Sequence, residues 1–286
     1  MNKQKRVLAI HDISGLGKSS LTVALPIISA AGIECAVMPT AVLSTQTSGF
    51  DGFTFRDLTS DMQAMAEHWK KENIHFDAIY SGYLGSIEQI SIVQNIIEMF
   101  RTPETLVLID PVLGDNGELY RLFSFDHANA MAKLCKSADI IIPNLTEAAL
   151  MLGREYKGSF LAKSEVEEIL NGLSYLCSKK VVLTGVQLGH DDLGVVCFDW
   201  ESKKIDYIAG DLINGTYYGT GDVFGSFLMG ALMRGLNLPQ AARLAVDHTC
   251  AAIKLTAKEG TNPRMGVRFE PVLVDFGNAL NAAFAI

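Results

Sequence analysis

The sequence predicts an α/β fold with a central, mostly parallel sheet flanked by helices. Short runs of leucine and β-branched residues, Leu106-Val107-Leu108-Ile109, Ile140-Ile141-Ile142 and Val181-Val182-Leu183, have the composition of strands buried on both faces of a parallel sheet. These runs end in Asp110-Pro111, Pro143-Asn144 and Thr184-Gly185 respectively, so polar residues collect at the carboxyl ends of successive strands. Open α/β sheets bind their ligands there. Helical patterns alternate with the runs; residues 87 to 100, for instance, carry an apolar stripe.

Composition bounds the possibilities. A chain of 286 residues with 49% hydrophobic content can bury a sizeable core, and residues 1–286 read as a single domain. A net charge of −8 argues against nucleic acid or an anionic membrane as the main partner, because both reward basic patches. A bound phosphate must therefore be held locally, by backbone amides, a metal or a few cations. The five cysteines (Cys35, Cys135, Cys177, Cys197, Cys250) are scattered and never in Cys-x-x-Cys spacing, as expected for reduced thiols of a cytoplasmic protein. The basic start, Met1 to Arg6, precedes an apolar run of only Val7 to Ile10, too short for a signal peptide or a membrane span.

In chain order, Val7 to Ile10 reads as a first buried strand followed by a loop from His11 to Ser20. Gly17-Lys18-Ser19 invites a P-loop reading, but Asp12 occupies the position of that motif's first glycine. A dinucleotide fingerprint fails too, since Ser20 stands where its third glycine or alanine belongs, and this weakens an NAD-dependent oxidoreductase reading. A helix from Leu21 to Ala31 ends at Gly32, and a second strand covers Cys35 to Leu43, with Pro39 marking an irregularity or an edge. The hydroxyl-rich run from Ser44 to Gly52 fits a polar binding loop or an exposed turn. Residues 62 to 71 read as helix and Phe76 to Tyr80 as strand, leading into Ser81-Gly82-Tyr83-Leu84-Gly85. Two shorter strands, Gly194 to Phe198 and Ile205 to Ala209, form a hairpin-like excursion, and the tail is helical over Pro239 to Glu259 and Val272 to Phe284.

The most informative stretch is Asn214 to Ser226, where Gly219-Thr220-Gly221-Asp222 runs into apolar residues at Phe224, Phe227, Leu228, Ala231 and Leu232. That spacing predicts a helix that buries one face, opened by a glycine-rich turn. The first N–H groups of a helix lack intrahelical partners and lie at the positive end of its dipole, so anions bind there. Glycines let a phosphate approach the backbone, and a carboxylate at Asp222 can take a proton from an attacking hydroxyl. A plain helix cap and turn would use the same residues.

With Asp110-Pro111-Val112, Pro143-Asn144-x-x-Glu147, Thr184-Gly185 and Gly219-Thr220-Gly221-Asp222 in this order, the chain resembles the ribokinase-like superfamily. It is most similar there to bacterial pyridoxal/pyridoxamine kinases, over residues 6 to 260. The resemblance implies a three-layer α/β/α domain and an ATP-dependent phosphorylation of the hydroxymethyl group of a B6 vitamer. On it, Asp222 is the general base and Gly219, Thr220 and Gly221 form the anion hole. Asn144, Glu147, Thr184, Asp110 and Gly221 fall on ATP-binding positions, with Asp110 and Glu147 beside the metal. Asp12, Ser14, Thr47, Tyr83 and Asp222 fall on the vitamin side. ATP and Mg2+ are the implied cofactors, with a monovalent cation as a further candidate, and a homodimer is the implied assembly. Leu43 and Gln46 replace an aromatic residue and a histidine of enteric and animal pyridoxal kinases. The first loop, Asp12-Ile13-Ser14-Gly15, is closer to hydroxymethylpyrimidine kinases, which makes that activity the alternative. A vitamin-binding protein without catalysis would have no use for a base at an anion site.

Overall fold

The computed structural model describes residues 4–47, 49–176, 179–187 and 189–283. Residues 1–3, Ser48, Cys177 and Phe284, named in the readings above, lie outside the described residues. The fold is α/β, with a central, mostly parallel sheet of nine strands accompanied by helices, as expected. In chain order the elements begin β1 (Arg6–Ser14), α1 (Leu21–Ala30), β2 (Glu34–Leu43), β3 (Phe55–Asp57), α2 (Thr59–Lys71), β4 (Ala78–Ser81), α3 (Ile87–Phe100) and β5 (Leu106–Ile109). A two-residue hairpin, β6 (Gly114–Asp115) with β7 (Glu118–Leu119), precedes α4 (Phe125–Leu134), β8 (Ile140–Ile141), α5 (Leu145–Leu152) and α6 (Lys163–Leu176). The chain continues through β9 (Lys180–Val186), β10 (Gly194–Asp199), β11 (Lys204–Ile208), α7 (Thr220–Met233), α8 (Leu238–Glu259) and α9 (Leu273–Ala282). Two compact units divide these elements, one comprising the chain up to Ala78 and from Ile213 onward, the other Ile79–Leu212.

In the first unit, β1 pairs in parallel with β2, and the register slips between His11 and Ile13, opposite the stretch that begins at Pro39. The expected irregularity at Pro39 is therefore present, because proline cannot donate to a ladder. β1 extends to Ser14, so His11 to Ser14 are strand and not the start of a loop: Ile13 and Ser14 pair with Val42 and Leu43. β3, which has only three exposed residues and no sequence signature, pairs antiparallel with Ala41 to Leu43 and takes the edge from β2. The expectation that α7 buries one face is corrected: every residue from Val223 to Ala231 is buried. The cause is packing on several sides, with α1 and α8 against it and Phe227 meeting Phe276 of α9 edge-on at 4.7 Å between ring centroids. Burying one such aromatic side chain is worth about 1.5–3 kcal/mol. A helix held this firmly fixes the position of its own first turn.

In the second unit the strand order is β11-β10-β9-β8-β5-β4. β5, β8 and β9 are parallel neighbours, fully buried along Val107 to Ile109 and Val181 to Leu183, as their apolar composition predicts. β9, β10 and β11 form an antiparallel meander, which accounts for the two strands of the hairpin excursion.

Candidate active site

The first unit gathers Asp12, Ser14, Ser20 and Asp222. Asp12 and Ser14 come from the end of β1, Ser20 precedes α1, and Asp222 lies in the first turn of α7. Gly219 caps α7 in the left-handed conformation (φ 75°), and a Cβ there would stand 2.2 Å from the Lys18 carbonyl oxygen, so only glycine fits. Gly221 differs: a Cβ would meet nothing within 4 Å, so packing does not demand glycine and the backbone is open to an incoming group. No side chain caps the turn, which leaves the N–H groups of Thr220, Gly221 and Asp222 without intrahelical acceptors, the arrangement that receives anions.

Burial pushes the Asp222 carboxyl up to about 7, the nearby charge of Asp12 adds to the rise, and the backbone N–H of Ser20, donating to the carboxylate, opposes it. A carboxyl that titrates near neutrality is suited to accept a proton at physiological pH. Asp12, itself buried, accepts hydrogen bonds from Ser14 Oγ (3.2 Å) and Ser20 Oγ (2.5 Å); burial raises its pKa and these bonds offset part of the rise. Thr47 is exposed in the loop after β2. Gln46 of that loop is buried and donates its side-chain amide to the Arg264 carbonyl, so in this chain the residue at the histidine position ties the loop to the C-terminal segment. The Arg264 guanidinium lies 4.4 Å from the Phe50 ring centroid, over the same loop. Lys18, the P-loop look-alike, turns its ammonium to Glu270 at 2.8 Å.

The second unit gathers Asn144, Glu147, Asp110 and Thr184. Asn144 Oδ1 accepts the Glu147 N–H (2.8 Å) while Glu147 Oε2 accepts the Asn144 N–H (2.7 Å), a capping box that opens α5. Glu147 Oε1 also accepts the Leu113 N–H (3.2 Å), and Asn144 Nδ2 donates to the Gly114 carbonyl (3.0 Å). The hairpin β6–β7 is thereby held on the start of α5, with the Gly117 N–H on Thr146 Oγ1 (2.9 Å) as a further tie. Burial holds the Glu147 carboxyl well above its ordinary range, and the charges of Asp110 and then Asp115 push it the same way. Thr184 bridges to Asn144, its N–H on the Pro143 carbonyl at 2.9 Å. Tyr83 stacks on Phe123 (5.6 Å), which stacks in turn on His127 (4.0 Å).

Four residues here carry no role in the sequence analysis: Ser20, Asp115, Phe123 and His127. Ser20 figures in the sequence only as the failed third position of a dinucleotide fingerprint, Asp115 sits at a turn, and Phe123 and His127 lie just before and within α4. Only Asp115 carried a usable signal, its place five residues after Asp110 beyond the same strand.

Fold and site together define a ribokinase-like phosphotransferase with an alcohol group as acceptor. The chain belongs to the pyridoxal kinase family, whose model, described as phosphomethylpyrimidine kinase, matches residues 24–267. A protein of Bacteroides thetaiotaomicron, provisionally named a phosphomethylpyrimidine kinase and crystallised with pyridoxal, is 39% identical with a TM-score of 0.91 over 96% of each chain. Pyridoxal kinase from Lactobacillus plantarum is 33% identical with a TM-score of 0.90 over 99% of each chain. Pyridoxine kinase from Bacillus subtilis is 28% identical over 64% of this chain and 66% of its own length.

Proposed function

We propose that the chain transfers the γ-phosphoryl group of ATP to the hydroxymethyl oxygen of pyridoxal, pyridoxine or pyridoxamine, giving the 5′-phosphate and ADP. The observation that carries the chemistry is the Asp222 turn: a carboxyl raised to about 7 in a helix turn whose Gly221 leaves the backbone open. Asp222 takes the hydroxyl proton as the oxygen attacks phosphorus, and the N–H groups at Gly219, Thr220 and Gly221 receive the oxygens of the transferring group. The B6 assignment is supported by the likeness to the Bacteroides protein crystallised with pyridoxal and to the Lactobacillus pyridoxal kinase. In the same reading Asp12, Ser14, Thr47 and Tyr83 line the vitamin side, while Asn144, Glu147 and Thr184 arrange ATP.

Asp110 and Glu147 are the proposed holders of a divalent cation; burial first, and then the charges of Asp110 and Asp115, raise the Glu147 pKa. Among the described residues no three His, Cys, Asp or Glu side chains form a ready cage. That suits Mg2+, which takes one or two carboxylates and completes its shell with phosphate oxygens and water. Both Glu147 oxygens accept backbone N–H groups and both Asp115 oxygens accept from Asn116, so Asp110 and Glu147 stand as the proposed ligands with Asp115 beside them. When bound, the ion neutralises charge on the phosphates. A monovalent cation, a homodimer, one kinase domain over residues 1–286 and a cytoplasmic setting complete the proposal. The setting rests on the scattered cysteines, which show no Cys-x-x-Cys spacing.

Hydroxymethylpyrimidine is the second candidate substrate, favoured by the Asp12-Ile13-Ser14-Gly15 stretch. The test is ATP consumption with each B6 vitamer and with hydroxymethylpyrimidine, the product identified by mass. Higher kcat/KM for a vitamer supports the proposal; turnover of hydroxymethylpyrimidine alone transfers the assignment to the second reading.

A further inference from the structure

We infer that Ser20 is a positioning residue for Asp222: its hydroxyl, anchored on the buried Asp12 carboxylate, holds the Ser20 backbone in a left-handed conformation that aims its N–H at the Asp222 carboxylate. This deepens the proposed function and rests on Asp222 being the base.

Ser20 has φ 53° and ψ −129°, a region open to glycine and costly for any residue with a Cβ. Such a conformation persists only where the surroundings hold it. A serine before a helix ordinarily turns its oxygen to the helix's own N–H groups. Here it makes no side-chain cap bond, and Ser20 Oγ instead donates to Asp12 Oδ1 at 2.5 Å. Asp12 is fixed in its turn, since it belongs to β1 and its other oxygen accepts Ser14 Oγ. The Ser20 N–H then donates to Asp222. One residue thus gives its O–H to one carboxylate and its N–H to the other, so two carboxylates whose charges repel can share a buried corner. A bond from Ser20 to ionised Asp222 also favours the form of Asp222 that can accept a proton.

Two substitutions separate this role from simple capping. Ser20→Ala keeps the strained Cβ and loses the anchor; Ser20→Gly loses the anchor but adopts φ 53° without strain, so its N–H can stay on Asp222. The Asp222 carboxyl titration, followed by NMR in the full chain, is the primary readout, with kcat for pyridoxal and thermal unfolding beside it. Ser20→Ala is expected to raise the Asp222 midpoint by about one pH unit and so to lower kcat at pH 7 by about fivefold. Ser20→Gly should keep the midpoint close to that of the parent and recover most of the loss. Equal midpoints in the two variants, or a larger shift in Ser20→Gly, overturn the inference. Should Ser20→Ala not fold, Ser20→Gly decides: with the strain gone its N–H must stay on Asp222 and the midpoint must stay near that of the parent, and a rise of about a unit or more overturns the inference. A parent protein that does not phosphorylate pyridoxal refutes the functional reading alone, because the titration midpoints still decide the role of Ser20.

Discussion

Asn144 and Glu147 cap each other: each side chain accepts the other's backbone N–H, at 2.8 and 2.7 Å. Asn144 also carries the Gly114 carbonyl, so one side chain joins the start of α5 to the hairpin bearing Asp115. Asn144→Ala should therefore cost about 1–2 kcal/mol of stability through the lost cap. It should also raise the KM for ATP while leaving that for the vitamin near the parent value. Thermal unfolding and steady-state kinetics check both, and equal damage to the two substrates would assign Asn144 to folding alone.

The two glycines of the α7 turn make opposite predictions. Gly221→Ala meets no neighbour and should gain about 0.5–1 kcal/mol of helix stability. The added methyl enters the space left for phosphate, so turnover should fall by about tenfold or more. Gly219→Ala must place a Cβ against the Lys18 carbonyl at positive φ and should cost at least about 1–3 kcal/mol. A Gly221→Ala variant that is both more stable and fully active would remove this turn from phosphate binding.

Lys18 is paired with Glu270, not poised for phosphate. Lys18→Ala should change the KM for ATP by less than about threefold, a cost below about 1 kcal/mol. A loss of two orders of magnitude in ATP binding would restore the P-loop reading.

Several of these features are legible without a structure, for a physical reason. The Asn144-x-x-Glu147 cap and the Gly219 to Asp222 turn are local, so the residues that make them are neighbours in sequence, and β5 and β9 announce themselves because burial on both faces leaves an unbroken apolar run. Ser20 is illegible because its meaning depends on Asp12 and Asp222, brought together only by folding. The hairpin β6–β7 is too short to show alternation, and what holds it is Asn144 and Thr146, far along the chain. β3 is three exposed residues with Phe55 as its one apolar side chain, too short for a pattern, and it pairs along the edge that β2 offers.

Thr47 tests the vitamin side. If its hydroxyl bonds the ligand, Thr47→Val should raise the vitamin KM by the equivalent of about 1–3 kcal/mol and spare ATP. An unchanged vitamin KM would leave Thr47, exposed as it is, a surface residue of its loop.

The raised Asp222 carboxyl links activity and stability to pH with opposite signs. Turnover should climb as pH rises through about 7, because only the ionised base accepts a proton. Stability should run the other way: the folded pKa lies above the unfolded one, so the contribution is fully present below the usual carboxylate range and is lost as pH rises through about 7. Buried Asp12, also raised, acts in the same direction. Unfolding of the parent and Asp222→Asn across this range should show the variant gaining relative stability with rising pH.

Asp222→Asn offers the most direct measurement, the rate of phosphoryl transfer from ATP to pyridoxal in the parent and the variant, with unfolding followed on the same preparations. Asparagine keeps the shape and removes a carboxyl whose ionised form burial disfavours, so the variant should stay folded and bind both substrates. Its turnover number should drop by about 10²- to 10⁴-fold. A stably folded variant with undiminished turnover would contradict the assignment of Asp222 as the base.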